Sequence, residues 1–379
     1  MKKLPAGSWI IVLLVALVGA AMLILQFLPA AMPKPDMRAI GSLPTPPVPD
    51  GVPSSSSLPV LANGMPDFVG ISRWWNTPDD APLTPESLKG KVVLVDFWTY
   101  SCINCIRTQP VLRAWWKAYE DKGLVIIGVH TPEFAFEKDV DNVEKALRKA
   151  DLRYPIALDA EYGTWNTYAN RYWPAAYLFD RQGRLRYTHF GEGEYDVTEG
   201  AIRELLAEGG MALEPPTDAD STPNMDMIKT PETYFGSARM RGFENVDEFK
   251  AGETATYTIR QPKANFWSVG GSWLFEDERA VALGAPTVFR MNVNANAAHI
   301  VLGSTDGKAK EVQVLIDGKT PTDEQLTDDL KRTDDGGAAI LVQGMDLYRV
   351  ARFPAGGEHT IELTFQDANV ALYAATFGE

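Results

Sequence analysis

Cys102 and Cys105 are the only cysteines in 379 residues, and two residues separate them. At the start of a helix, residues three apart share a face, so such a pair can form and break a disulfide. A helix N-terminus offers unpaired amide N–H groups and a partial positive charge, and both stabilise a thiolate. Cys102 is then the expected exposed nucleophile, and Cys105, one turn inside, the expected resolving thiol. Three other uses of the pair compete with this one. A zinc knuckle would need its remaining ligands from four scattered histidines or from carboxylates, because there is no second cysteine pair. Covalent haem requires a histidine directly after the second cysteine, where this chain has Ile106. An inert structural disulfide would close a loop too small to stabilise much.

The surrounding pattern alternates strand and helix. Residues 92–95 form a continuous apolar run, read as a buried strand, and residues 124–129 form a second. Helices are expected from Cys105 to about Asp121, over 139–152, over 163–171 and over 198–208. Residues 176–179 and 185–188 flank a turn at Arg181-Gln182-Gly183 and predict an antiparallel hairpin. This order predicts an α/β layered domain, residues 63–214, with the cysteines at a strand-to-helix junction.

Upstream, residues 1–8 form a short basic tail and residues 9–28 an apolar run interrupted only by Gly19 and Gln26. Twenty helical residues span roughly 30 Å, the hydrocarbon thickness of a bilayer. The run is longer than the apolar core of a signal peptide, about 7–15 residues. A single-pass anchor with the N-terminus inside is expected, with Pro29-Ala30-Ala31 leaving a cleaved signal as the alternative. Residues 29–62 are proline-rich and read as an extended tether. The formal net charge of −14 argues against a nucleic-acid partner.

Residues 230–379 change character to short alternating runs closed by turn pairs such as Asp306-Gly307 and Asp317-Gly318. About eight strands and one helix near 323–332 are expected, an all-β sandwich of jelly-roll type.

The stretch from Val95 to Cys105 and the segments 128–134, 170–174 and 191–195 resemble the thioredoxin superfamily. The similarity covers about 65–206 and is to the membrane-anchored TlpA-like and DipZ-like extracytoplasmic thiol–disulfide oxidoreductases. It implies that Cys102 attacks and Cys105 resolves, that Pro110 kinks the active-site helix, and that Pro174 is a cis-proline facing the thiols. It also assigns Asp96 as a buried acid beneath the cysteines; by its position alone Asp96 could equally sit at an exposed strand end. A buried Asp96 would carry a raised pKa and could take the Cys105 proton. Trp98, Asn104 and Trp173 are expected to line the site, with core packing the rival for both tryptophans. Glu133 could reach the site or be a solvated loop carboxylate.

Segments 230–236 and 363–378 resemble the C-terminal, carbohydrate-binding-like module of DipZ-like proteins. Trp267 and Trp273 are its possible sugar platforms, again with core packing as the rival, and partner docking or a structural role are alternatives to glycan binding. The function so implied is that of a membrane-tethered periplasmic oxidoreductase acting on protein disulfides. It would use no cofactor beyond the redox-active Cys102-Cys105 disulfide, and a membrane donor of the DsbD or CcdA type would supply its electrons. A thiol peroxidase, suggested by Thr99 three residues before Cys102, and a non-enzymatic glycan- or partner-binding protein are the alternatives.

Overall fold

The computed structural model describes residues 58–208, 213–214, 216 and 227–379. The expected anchor at 9–28 and the tether up to residue 57 lie outside them. Among the described residues no helix is long and apolar enough to cross a membrane.

In the first globular part, strands β1 (Arg73–Trp75), β2 (Val92–Trp98), β3 (Leu124–His130), β4 (Ile156–Leu158), β5 (Ala175–Phe179) and β6 (Leu185–Phe190) form one sheet. Their order is β1-β4-β3-β2-β5-β6. The β2–β3 and β3–β4 pairs are parallel and the others antiparallel. Strand β2 is buried along its whole length because both faces of the sheet are covered. Val92, Leu94 and Trp98 face one core, together with residues from helices α1 (Ile103–Tyr119), α2 (Val140–Lys149) and a later helix contributing Ile202 and Leu205. Val93, Val95 and Phe97 face the other core, beneath Trp165 and Tyr168. The two-residue period of the strand makes this division. It also puts Asp96 on the α1 side.

Helix α1 starts two residues earlier than the apolar pattern predicts, since its first turn is set by Cys102 as N-cap. Helix α3 (Gly163–Thr167) is shorter than expected, and Ala169 just beyond it has positive φ. Helix α4 (Tyr195–Ala207) closes the layer. Residues 58–62, expected in the tether, already lie against this domain: Leu61 N–H donates to the Leu185 carbonyl at 2.8 Å and Leu58 N–H to Glu204 at 2.9 Å.

The second part is all β. Its strands are β7 (Thr233–Tyr234), β8 (Thr254–Tyr257), β9 (Trp267–Phe275), β10 (Ala280–Ala282), β11 (Thr287–Asn294), β12 (Ala297–Ser304), β13 (Lys310–Ile316), β14 (Leu330–Arg332), β15 (Ala338–Val342), β16 (Asp346–Arg352), β17 (Glu358–Phe365) and β18 (Val370–Phe377). One path runs β14-β15-β13-β17-β11-β9-β10-β18-β12-β16, with β7 beside β18 and β8 beside β9. Strand β9 joins the two layers. Residues 267–270 pair with β11, and residues 271–275 pair with β8 or β10. The strand turns between layers at Gly271, whose φ of +86° suits glycine and whose Cβ would lie 2.8 Å from the Thr287 methyl. Among the described residues twelve strands replace the eight expected: β7, β10 and β14 are too short to show a period, and Gly270-Gly271 interrupt the apolar pattern of the nine-residue β9. The helix expected near 323–332 is a single 3-10 turn, Asp323–Gln325, followed by β14.

Candidate active site

Asp96 lies opposite Gly128 on β3 and Ala176 on β5 and is 3% exposed. Burial holds its carboxyl well above the usual carboxylate range. Gly128 leaves the space beside it: a Cβ there would stand 2.7 Å from Ile156 Cδ1 and 2.9 Å from the Trp98 ring nitrogen. Trp98 is buried, edge-on to His130 at 4.9 Å, and shares its core with Cys105. It therefore supports the site from below rather than lining an open face. The buried His130 Nε2 lies 3.3 Å from the Thr99 hydroxyl, and burial lowers its pKa to about 3.

Both cysteines are free thiols. Cys102 is half-buried and caps α1, its Sγ accepting the Cys105 N–H at 3.4 Å. Cys105 is 1% exposed. Burial pushes its thiol well above the ordinary value, the Cys102 hydrogen bond and charge add to that, and the Asp96 charge adds a smaller share. The Cys105 N–H at the helix start faces the outer sulfur, and desolvation opposes negative charge on the inner one. The pair is therefore unequal: a half-buried outer thiol and a buried inner one. Pro110 stands inside α1 without ending it. Asn104 is half-buried, its carbonyl accepting from the Thr108 hydroxyl at 2.9 Å and its side chain from Arg107 at 3.4 Å.

The Trp173–Pro174 peptide is cis. Pro174 directly precedes β5, whose first residue pairs with Phe97 near the C-terminal end of β2, the end from which the cysteine loop leaves. Its carbonyl accepts Gly191 N–H at 2.9 Å. Trp173 is half-buried and pinned, with Nε1 donating to the Thr131 carbonyl at 3.0 Å and its ring 4.2 Å from that of Trp165.

Glu137, to which no sequence pattern points, is fully buried beneath the cysteine loop. Its Oε1 accepts from Ser101 Oγ at 2.6 Å and Ser101 N–H at 3.3 Å, and its Oε2 from the N–H groups of Glu133 at 2.6 Å and Phe134 at 2.9 Å. Burial raises its pKa to about 7, against the lowering effect of the Ser101 and Thr99 hydrogen bonds. One carboxylate thus ties the residue before Cys102 to the 133–134 loop. In Glu137→Gln an amide N–H₂ would face donors, leaving a buried pair unsatisfied at a cost of about 1–3 kcal/mol. Thermal unfolding should fall accordingly, and an unchanged midpoint would contradict this role.

The 133–134 loop is itself held by the β-sandwich. Glu133 pairs with Arg239 at 2.9 Å and accepts from the Tyr234 hydroxyl at 2.7 Å. It is neither at the thiols nor a solvated loop carboxylate, since it joins the two domains. The sandwich also reaches the cysteine motif. Ile103, between the cysteines, and Phe134 are buried in one apolar cluster with Val301, Leu347, Tyr373 and Ala374. The Tyr100 hydroxyl donates to the Met345 carbonyl at 3.1 Å. Arg107 donates to the Phe377 carbonyl at 3.2 Å and to that of Gly378, and pairs with Glu192. None of these cross-domain partners could be read from local spacing, because 101 to 271 positions separate them from α1 or the loop.

Trp267 and Trp273, the possible sugar platforms, are both 0% exposed. Their ring nitrogens donate to the carbonyls of Arg241 at 2.7 Å and Gly270 at 2.9 Å. They are core residues of the sandwich and have no face for a sugar. Among the described residues, no cluster of three or more His, Cys, Asp or Glu is placed to hold a metal ion.

Residues 63–188 match the model of the AhpC/TSA family, and residues 230–378 that of the thioredoxin like C-terminal domain. Protein DipZ of Mycobacterium tuberculosis is 43% identical over 262 residues, 68% of this chain and 37% of DipZ. The thiol-disulfide oxidoreductase YkuV of Bacillus subtilis is 30% identical over 149 residues, 39% of this chain and 97% of YkuV. The thiol-disulfide oxidoreductase ResA of Bacillus cereus is 27% identical over 120 residues, 32% of this chain and 66% of ResA. The chain thus aligns with little more than a third of the length of DipZ.

Proposed function

Because this chain belongs to the thioredoxin-like thiol–disulfide oxidoreductases, we propose that Cys102 and Cys105 exchange electrons with disulfides of other proteins outside the cytoplasm. The observation that carries this reading is the unequal pair: a half-buried Cys102 capping α1, and a buried Cys105 on the same face of the sheet as Asp96. The Cys102 thiolate attacks one sulfur of a substrate disulfide. A mixed disulfide forms and the other substrate sulfur leaves as a thiolate, which water protonates. Cys105 then gives its proton to Asp96 in those molecules whose Asp96 carboxyl is ionised, and attacks Cys102 Sγ. The second substrate sulfur is released, and two electrons have passed from the protein, now a Cys102-Cys105 disulfide, to the substrate. Continued reduction needs two electrons from a separate dithiol carrier, in our reading a membrane donor of the DsbD or CcdA type. The apolar run at 9–28 would hold the chain beside that donor. The sandwich serves as a docking and bracing module for the cysteine loop.

The test is insulin-disulfide reduction by the full chain, together with the Cys102-Cys105 potential and peroxide turnover. Insulin reduction with a potential near that of thioredoxin, about −270 mV, supports a reductase. A value near about −120 mV would make it an oxidant. Peroxide turnover without insulin reduction would favour the peroxidase that the Thr99 spacing admits.

A further inference from the structure

A cleft of about 520 Å³ separates α1 and α2 from the β12 and β16 edge of the sandwich. Its floor is one face of α1: Ile103, Ile106, Arg107, Pro110 and Arg113 follow each other at three- and one-residue steps. The facing wall carries His299, Leu347, Arg349 and Arg352. Five cations line the cleft against the carboxylates of Asp346 and Glu379, in a chain of net charge −14. Lys149 is neutralised by Asp346 at 2.6 Å, Arg352 by Glu379 at 3.4 Å and Arg107 by Glu192. Arg113 and Arg349 have no carboxylate partner for their side chains among the described residues. Arg113 meets only the Ala150 carbonyl, at 2.8 Å.

His299 adds a second, independent feature. It is 5% exposed, and Nε2 lies 2.7 Å from the Gly378 carbonyl, so the ring proton sits on Nε2. Nδ1 then offers a lone pair, is buried, and has no partner. Burial lowers the pKa of His299 to about 4, the Gly378 bond opposes this, and Arg107 and Arg349 lower it further. The ring is therefore a neutral acceptor at physiological pH. A simple anion cannot satisfy it, whereas a peptide N–H can.

We propose that this cleft docks an acidic segment of the polypeptide whose disulfide Cys102 attacks. Carboxylates would pair with Arg113 and Arg349, a backbone N–H would meet His299 Nδ1, and apolar side chains would rest on Ile106, Pro110 and Leu347. The cleft begins at Ile103, next to the nucleophile. From there to Arg113 the helix runs about 15 Å, room for about four or five extended residues. This inference rests on the oxidoreductase reading and narrows it to a class of substrate.

The test uses short peptides whose single cysteine is disulfide-bonded to a small fluorescent thiol. The cysteine is followed or preceded by four acidic, four neutral or four basic residues. Reduced full-length protein attacks the peptide sulfur and releases the fluorescent thiol. Each rate is divided by the rate with dithiothreitol, which removes intrinsic differences in disulfide reactivity. In one flank orientation the acidic peptide should react about tenfold faster than the neutral one at low salt, and about 0.5 M salt should erase most of that ratio. In Arg113→Glu/Arg349→Glu the ratio should fall to about one or below. Equal rates for acidic and neutral peptides in both orientations, or a ratio that survives the double substitution, would overturn the docking proposal. A cysteine-free acidic peptide, followed by fluorescence anisotropy, separates the two layers. If no peptide releases its thiol yet this one still binds, and binds less in the double variant, docking stands and the redox reading fails.

Discussion

Cys102→Ser should abolish insulin reduction, lowering the rate by at least roughly 10³-fold, because a hydroxyl at neutral pH is neither ionised nor a comparable nucleophile. Cys105→Ser should behave differently. Its outer thiol still caps α1, so attack continues, but nothing displaces the substrate and a mixed disulfide accumulates. The adduct should be visible by mass spectrometry and released by dithiothreitol. The asymmetry follows from burial: Cys105 is 1% exposed and cannot take over as the external nucleophile. Insulin reduction by Cys102→Ser at a rate near that of the unaltered protein would remove the thiol chemistry from this site.

Asp96→Asn should move activity and stability in opposite directions. Burial holds the Asp96 carboxyl well above its ordinary value. The folded protein thus keeps a proton there that the unfolded chain releases above about pH 4. Stability from this proton is fully present below that pH and is lost as the pH rises through the folded-state value, each unit of separation being worth about 1.4 kcal/mol. Asparagine fills the same space and never ionises. The variant should therefore unfold several degrees above the unaltered protein at pH 8, by the usual conversion of about 2–4 °C per kcal/mol for a large domain. The two midpoints should converge near pH 4. Release of the mixed disulfide should slow by about 10²-fold, the ordinary value of a positioned base. A lower midpoint at pH 8, or resolution at the original rate, would show that Asp96 is a structural acid only.

Both expectations depend on residues that local sequence identifies. Cys102 and Cys105 need only a helix start, and residues 92–95 of β2 are a continuous apolar run that had to be buried on both sides. Asp96 is less direct. Its neighbours put it on a strand, but only the layers on both sides of β2 decide that the strand's end is buried rather than open to water. The same holds for Pro174. The resemblance implies a cis bond, and the fold places that bond at the start of β5, beside β2.

What the sequence determined by itself was local: an alternation of short buried strands and helices, a thiol pair at their junction, and a second region of alternating β type. These depend on interactions between residues a few positions apart, for which periodicity and capping are direct evidence. The tertiary structure alone decided which residues meet across long separations. It turned Trp267 and Trp273 into core, made Glu133 an interdomain ion pair and set Glu137 beneath Ser101. It also laid the sandwich against Ile103, so that the cysteine motif is braced by a domain more than a hundred residues away. Such contacts depend on how two layers dock, and their free energy comes from area buried and donors satisfied only after docking. No spacing within either segment carries that information.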